Sequence, residues 1–297
     1  MTRRITRPRA SLDNPPSWVK PGIKKESTSE RVAKLRIMDR CNPVRDRIEI
    51  IPEEHWDTYK DLHGHVKKSS RYRYTLDQDG IGSCAAESAA GIKGALDARQ
   101  GFPKVVYNPW SMYWYTSGGR DNGSVIGHNV EYLRDNGICP EEVWPRSKGW
   151  RAEPGGEAKR IAKFFRIEEF FYVENTKELV SALLQGYEVH GGYSGHAVAF
   201  TQYAGRGNIN FKNSWGEGWG DGGFGTLSLS RVYFPYGCYA YKYAIRFEDD
   251  WMPSMDQDQL GLAVSDYMKV LRDKKVRAGR QCNEAYQTAL MNYGLVT

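Results

Sequence analysis

The apolar period of the chain changes near Gly186, and that change limits the folds open to it. Before it, hydrophobic residues recur at helical spacing. Ala85, Ala86, Ala89, Ile92 and Leu96 follow Cys84 and stop near Gly101, which predicts one helix. "SVIGHNVEYLRDNG" (124–137) predicts a second, stopped by Gly137. "TKELVSALLQG" (176–186) predicts a third, with Thr176 as its cap. Beyond Gly186 the residues alternate. "YEVHGGY", "GHAVAFTQYAG", "NINFKNSW", "GFGTLSLS" and then 239–248 read as consecutive strands joined by glycine-rich turns. Helices first and strands after give an α+β protein. A helical lobe (about 78–155) and an antiparallel β lobe (about 160–250) are expected, with a cleft between them.

The flanks differ from this body. Residues 1–70 are expected to form a basic extended arm or a pro-segment, and 251–297 a C-terminal helical extension, leaving 71–250 as the functional domain. Residues 1–50 hold 13 Lys/Arg against 6 Asp/Glu, so the rest of the chain sums to −1 against a whole-chain charge of +6. Such an arm is either a solvated extension or a contact for nucleic acid or an acidic protein face. Within it, "RIEIIPEEHWDTYKDL" predicts a short strand and a turn of helix. Neither an export signal nor a membrane-length apolar run is present, so a cytoplasmic or virion-associated, non-membrane protein is expected. The five cysteines are odd in number and include no CxxC pair, which argues against a disulfide framework and a cysteine-based zinc site. His63 and His65 read as exposed residues rather than metal ligands, so no metal and no cofactor is expected. Gly218, Gly220 and Gly223 match GxGxxG, but a strand follows where a dinucleotide site needs a helix.

Thiol chemistry needs a cysteine of depressed pKa, a base, an orienter for the base and an oxyanion donor. Cys84 opens a predicted helix, where free N–H groups and the helix dipole favour a thiolate. His196 begins a strand, and Asn213 ends the next one, so a short turn brings the two side by side. Gln78 is an amide donor six residues before Cys84.

These segments resemble the papain family of cysteine peptidases. "DQDGIGSC" is similar to the family's glutamine-to-nucleophile segment, "GHAVAF" to its histidine strand and "NFKNSWGEGWGDGGFG" to its asparagine segment. "GSVIGHNVEYLRDNGICPEEVWPR" resembles a family stretch running from the cleft edge to an acidic-aromatic-proline turn, in the version of bacterial and phage members. Together they span roughly 72–248 in family order. The resemblance implies a papain-like two-lobe fold whose β lobe is barrel-like, and a peptide or protein substrate hydrolysed through an acyl-enzyme. It implies Cys84 as nucleophile, His196 as its ion-pair partner, Asn213 as orienter, and Trp215 as shield of the His–Asn bond. Gln78 becomes the oxyanion donor, and Gly123 and Ser124 the substrate-backbone contacts. The alternative is a non-catalytic or autoinhibited module with a binding role, for example among virion assembly partners.

Departures accompany the resemblance. Ile81 stands where secreted members have a disulfide cysteine, Ala85 where they have tryptophan, and Ser124 where they have glycine. Glu87, three residues after Cys84, shares its helix face and either raises the thiol pKa or turns into a polar pocket. Only two residues separate "YEVHGGY" from His196, so one wall of the specificity pocket is expected to be low or supplied by another segment.

Overall fold

The computed structural model describes residues 41–63, 71–102 and 104–244. The basic stretch 1–40, His65 and the C-terminal extension lie outside the described residues. Six helices are found among those described: α1 (Trp56–His63), α2 (Cys84–Arg99), α3 (Trp110–Thr116), α4 (Ile126–Asp135), α5 (Gly156–Ala162) and α6 (Thr176–Leu184). The strands are β1 (Phe170–Tyr172), β2 (Glu188–Tyr193), β3 (His196–Gly205), β4 (Asn208–Lys212), β5 (Phe224–Ser228) and β6 (Tyr239–Tyr241). They form one antiparallel sheet in the order β1-β6-β2-β3-β4-β5. The expected α+β architecture is therefore present, with β5 following the GxGxxG match.

Two apolar cores meet at the sheet. One face carries Ala197, Ala199, Tyr239 and Tyr241 and packs with α2, Met112 and Tyr113 of α3, and Ile126, Val130 and Leu133 of α4. The other carries Val189, Val198, Phe200, Ile209 and Phe211 and packs with Leu179, Val180 and Leu183 of α6. Helix α2 lies between the sheet and helices α3 and α4. The sequence predicts one apolar stripe, yet α2 is buried on all sides, from Cys84 to Asp97 with few breaks. Its alanines allow close approach from every direction, and its polar side chains are paired internally. Lys93 donates to Asp97 and, at 3.2 Å, to Tyr107 Oη. Burying Ile92 and Leu96 completely contributes about 1.5–3 kcal/mol each.

Two expectations are corrected. Residues 41–63 are not an extended arm. Val44, Ile51 and Trp56 are buried in the second core. The Ile51 N–H donates to Ser181 Oγ of α6 (2.9 Å), and Trp56 Nε1 donates to the Ile51 carbonyl (2.9 Å). The expected strand there does not form: residues 47–52 run without regular structure between two short 3-10 turns, whose N-caps are Pro43 and Pro52. The cap of α6 is Asn175 rather than Thr176. Asn175 is extended, and its side chain accepts from the Glu178 N–H (3.0 Å), leaving Thr176 as the first helical residue.

Candidate functional site

Each side chain of the site sits where an element starts or ends. Cys84 is the first residue of α2, so its own N–H has no intrahelical acceptor. Its sulfur accepts the Ala197 N–H at 3.4 Å, which sets the thiol against the residue that follows His196. His196 is the first residue of β3, reached through the two-residue turn Ser194–Gly195. Both turn residues have positive φ (46° and 79°), the geometry of the tightest hairpins. Asn213 follows the last residue of β4, and its N–H donates to the Gly223 carbonyl (2.8 Å).

The ring of His196 is oriented without ambiguity. Asn213 Oδ1 accepts the Ser214 N–H at 2.8 Å, which identifies that atom as the oxygen. The same oxygen lies 2.7 Å from His196 Nε2. An amide oxygen only accepts, so Nε2 carries the proton of the neutral ring and Nδ1 carries the lone pair. Nδ1 has no hydrogen-bond partner among the described residues. Trp215 lies against the imidazole, with ring centroids 4.6 Å apart. Burial lowers the His196 pKa to about 4, against a smaller upward pull from Asn213. The ring by itself is therefore neutral at pH 7.

Gln78 is fixed to the same cluster. Its Oε1 accepts from Ser214 Oγ (3.0 Å) and from Trp215 Nε1 (3.1 Å). Its Nε2 donates to the Ile81 carbonyl (2.7 Å), which leaves a second N–H on that nitrogen. Residues 76–78 also pair with 214–216 through backbone bonds, Gln78 N–H to Ser214 O (2.9 Å) and Gly216 N–H to Leu76 O (3.0 Å).

Gly123 and Ser124, expected to contact a substrate backbone, lie in the loop before α4. The Gly123 N–H donates to Tyr113 Oη (3.1 Å), and Ser124 is fully buried with its hydroxyl accepting from Asn129 Nδ2 (2.9 Å). These two bonds brace the loop before α4. The loop presses on Gly82, where a Cβ would come within 3.1 Å of Asp121 Oδ1, the Gly123 nitrogen and Tyr113 Oη.

Glu87 takes the polar-pocket alternative. Its carboxylate accepts from Ser83 Oγ (3.0 Å) and from Arg146 Nη2 at both oxygens (2.6 and 2.5 Å). Burial raises its pKa, while the Arg146 charge and the Ser83 hydroxyl pull it down. Arg146 and Ser83 are missed by the sequence reading. The arginine is 59 residues from its partner and ends a segment quoted for its helix and turn rather than for this side chain, although a charged residue in the first buried turn of a helix already calls for a counter-charge.

His190 on β2 is a second buried imidazole. Its Nδ1 is 3.0 Å from Tyr241 Oη, and its Nε2 has no partner among the described residues. Among the described residues there is no group of three or more metal-ligating side chains, and no helix is long and apolar enough to cross a membrane.

No family model matches the chain. A cysteine protease of Blomia tropicalis is 23% identical, over 54% of this chain and 59% of that protein, so the chain spans little more than half of that relative. Xylellain, a cysteine protease from Xylella fastidiosa, superposes with a TM-score of 0.51 at 16% identity, over 83% of this chain and 99% of that one. The cysteine protease and lectin-like domains of Cwp84 from Clostridium difficile superpose with a TM-score of 0.52 at 15% identity, over 68% and 62% of the two chains. The fold is that of the papain-like cysteine proteases.

Proposed function

We propose that this chain is a cysteine peptidase that hydrolyses peptide bonds through Cys84 and His196. The observation that carries this reading is the fixed tautomer of His196, whose ring is oriented by Asn213 while the N–H of the next residue holds the Cys84 sulfur at a helix N-terminus. Burial opposes an isolated imidazolium, so the ring takes the Cys84 proton only as the thiolate forms, and the two charges appear as a pair. The thiolate adds to the substrate carbonyl carbon. The second N–H of Gln78 and the Cys84 N–H are the donors for the resulting oxyanion. Collapse breaks the C–N bond as His196 returns its proton to the leaving amine. Water, deprotonated by His196, then releases the acid and restores the thiol.

Domain limits, substrates and partners extend this reading. The catalytic unit would begin near Cys41 rather than Arg71, because residues 41–63 belong to the core of the β lobe. Ile81 and Ala85 support a kinship with bacterial and phage members. The short turn before His196 supports a cleft with one low wall, suited to bulky peptide substrates. A second reading, an autoinhibited or binding module, is favoured by one observation: Cys84 is fully buried and His196 is 5% exposed. The deciding experiment treats the protein with a thiol-directed electrophile and maps the label. Preferential reaction at Cys84, with peptide hydrolysis abolished and folding retained in Cys84→Ala, supports the peptidase. Hydrolysis that survives Cys84→Ala overturns the assignment. A reactive Cys84 that turns over no peptide until the chain is trimmed supports autoinhibition.

A further inference from the structure

Glu87 raises a problem for the reading above. Residues three apart on a helix have Cβ atoms about 5–6 Å from one another, so a carboxylate at 87 is on the face of the Cys84 thiol and its charge opposes a thiolate. The structure answers with an arginine from the far end of the helical lobe. Arg146 Nη2 holds both carboxylate oxygens, and the Glu87 side chain is completely shielded from water. Arg146 Nη1 donates to the carbonyl of Asp77, the residue before Gln78. The arginine is itself fixed in place. Its N–H donates to Glu141 Oε1 (2.6 Å), and its guanidinium lies 4.7 Å from the ring centroid of Trp110.

One side chain thus touches two segments of the site. Through Glu87 and Ser83 it reaches the first turn of the nucleophile helix. Through Asp77 it reaches the strip that carries the oxyanion amide and pairs with residues 214–216. We propose that Arg146 is a positioning residue for Cys84 and Gln78, holding the helix and the amide strip at a fixed spacing while cancelling the Glu87 charge beside the thiol. The roles of Cys84 and Gln78 in this statement rest on the peptidase reading. The charge cancellation does not, because Cys84 titrates whether or not the protein turns over peptides.

The test follows alkylation of Cys84 by iodoacetamide against pH in the full chain, read by mass spectrometry. Glu87→Gln keeps the shape of the side chain and leaves the guanidinium uncompensated, so the midpoint falls by about one pH unit. Adding Arg146→Met to that variant removes the stray charge and returns the midpoint to within about 0.3 of the parent. The double variant still lacks the Asp77 contact, so kcat for peptide hydrolysis stays about tenfold low with KM little changed. An unmoved midpoint in Glu87→Gln overturns the charge role, and it does so even where the double variant fails to fold. Parental kcat in the folded double variant overturns the positioning role. If no variant, nor the parent, hydrolyses peptides while the opposite midpoint shifts hold, it is the peptidase reading that falls, and the charge role stands.

Discussion

His190 and His196 occupy neighbouring strands, and both are buried with one ring nitrogen bonded and the other bare. Burial lowers both, His190 to about 3 and His196 to about 4. They differ in the bonded partner. Tyr241 Oη can donate or accept, so it leaves the His190 tautomer undetermined. Asn213 Oδ1 can only accept, so it forces the proton of His196 onto Nε2. A buried imidazole is common furniture. The imidazole whose tautomer is fixed, one residue before the N–H that holds the Cys84 sulfur, is the one proposed as the base.

The strongest way to break this comparison is exchange of function. His196→Gln should lower kcat by about 10²–10⁴-fold. His190→Gln should leave kcat within about twofold, since it shares no partner with the site. Steady-state rates on one peptide, normalised to folded protein, decide it, and equal losses would erase the distinction.

Acid stability comes next and treats the two histidines alike. In the unfolded chain each binds a proton below about pH 6.5, whereas the folded chain refuses it until about 3 or 4. Their contribution is therefore complete above pH 6.5 and is lost as pH falls through that window, at about 1.4 kcal/mol per unit for each histidine. Denaturant midpoints from pH 7 to 4 should show a shallower decline in His190→Gln than in the parent. An unchanged slope would mean that His190 is not the buried neutral ring described.

Smaller effects sharpen the tautomer argument. Asn213→Ala leaves the ring free to turn and should cost about 10²-fold in kcat. Trp215→Phe keeps an aromatic cover but removes the N–H bonded to Gln78 Oε1, a loss of about 1 kcal/mol or roughly fivefold in kcat. A Trp215→Phe loss as large as that of Asn213→Ala would place the weight on the cover rather than on the amide.

The placement of Cys84, His196 and Asn213 at element ends was legible because each lies in a local run whose neighbours are dictated by the same geometry. "GHAVAF" must start a strand to present His196, and "KNSWG" must end one to present Asn213. The long helices and strands were legible from their periods. What escaped was short or distant. Helix α3, strand β1 and the turns at 44–55 each run too few residues to show a period, and two of the turns begin at prolines in a stretch whose composition suggests an arm. Arg146 escaped because ion pairing leaves no spacing rule along the chain. The bond of the Ser124 hydroxyl to Asn129 escaped because that position was read for its backbone.

The burial of α2 on every side has a consequence in time rather than in space. Its amides open to solvent only when the sheet and the helices around it come apart together, so they should be among the last to exchange with deuterium. Cys84 stands at the end of that slow unit. Fluctuations that admit a ligand to the thiol are then expected from the loops around it, on a faster clock, while Cys84 keeps its place through many such openings.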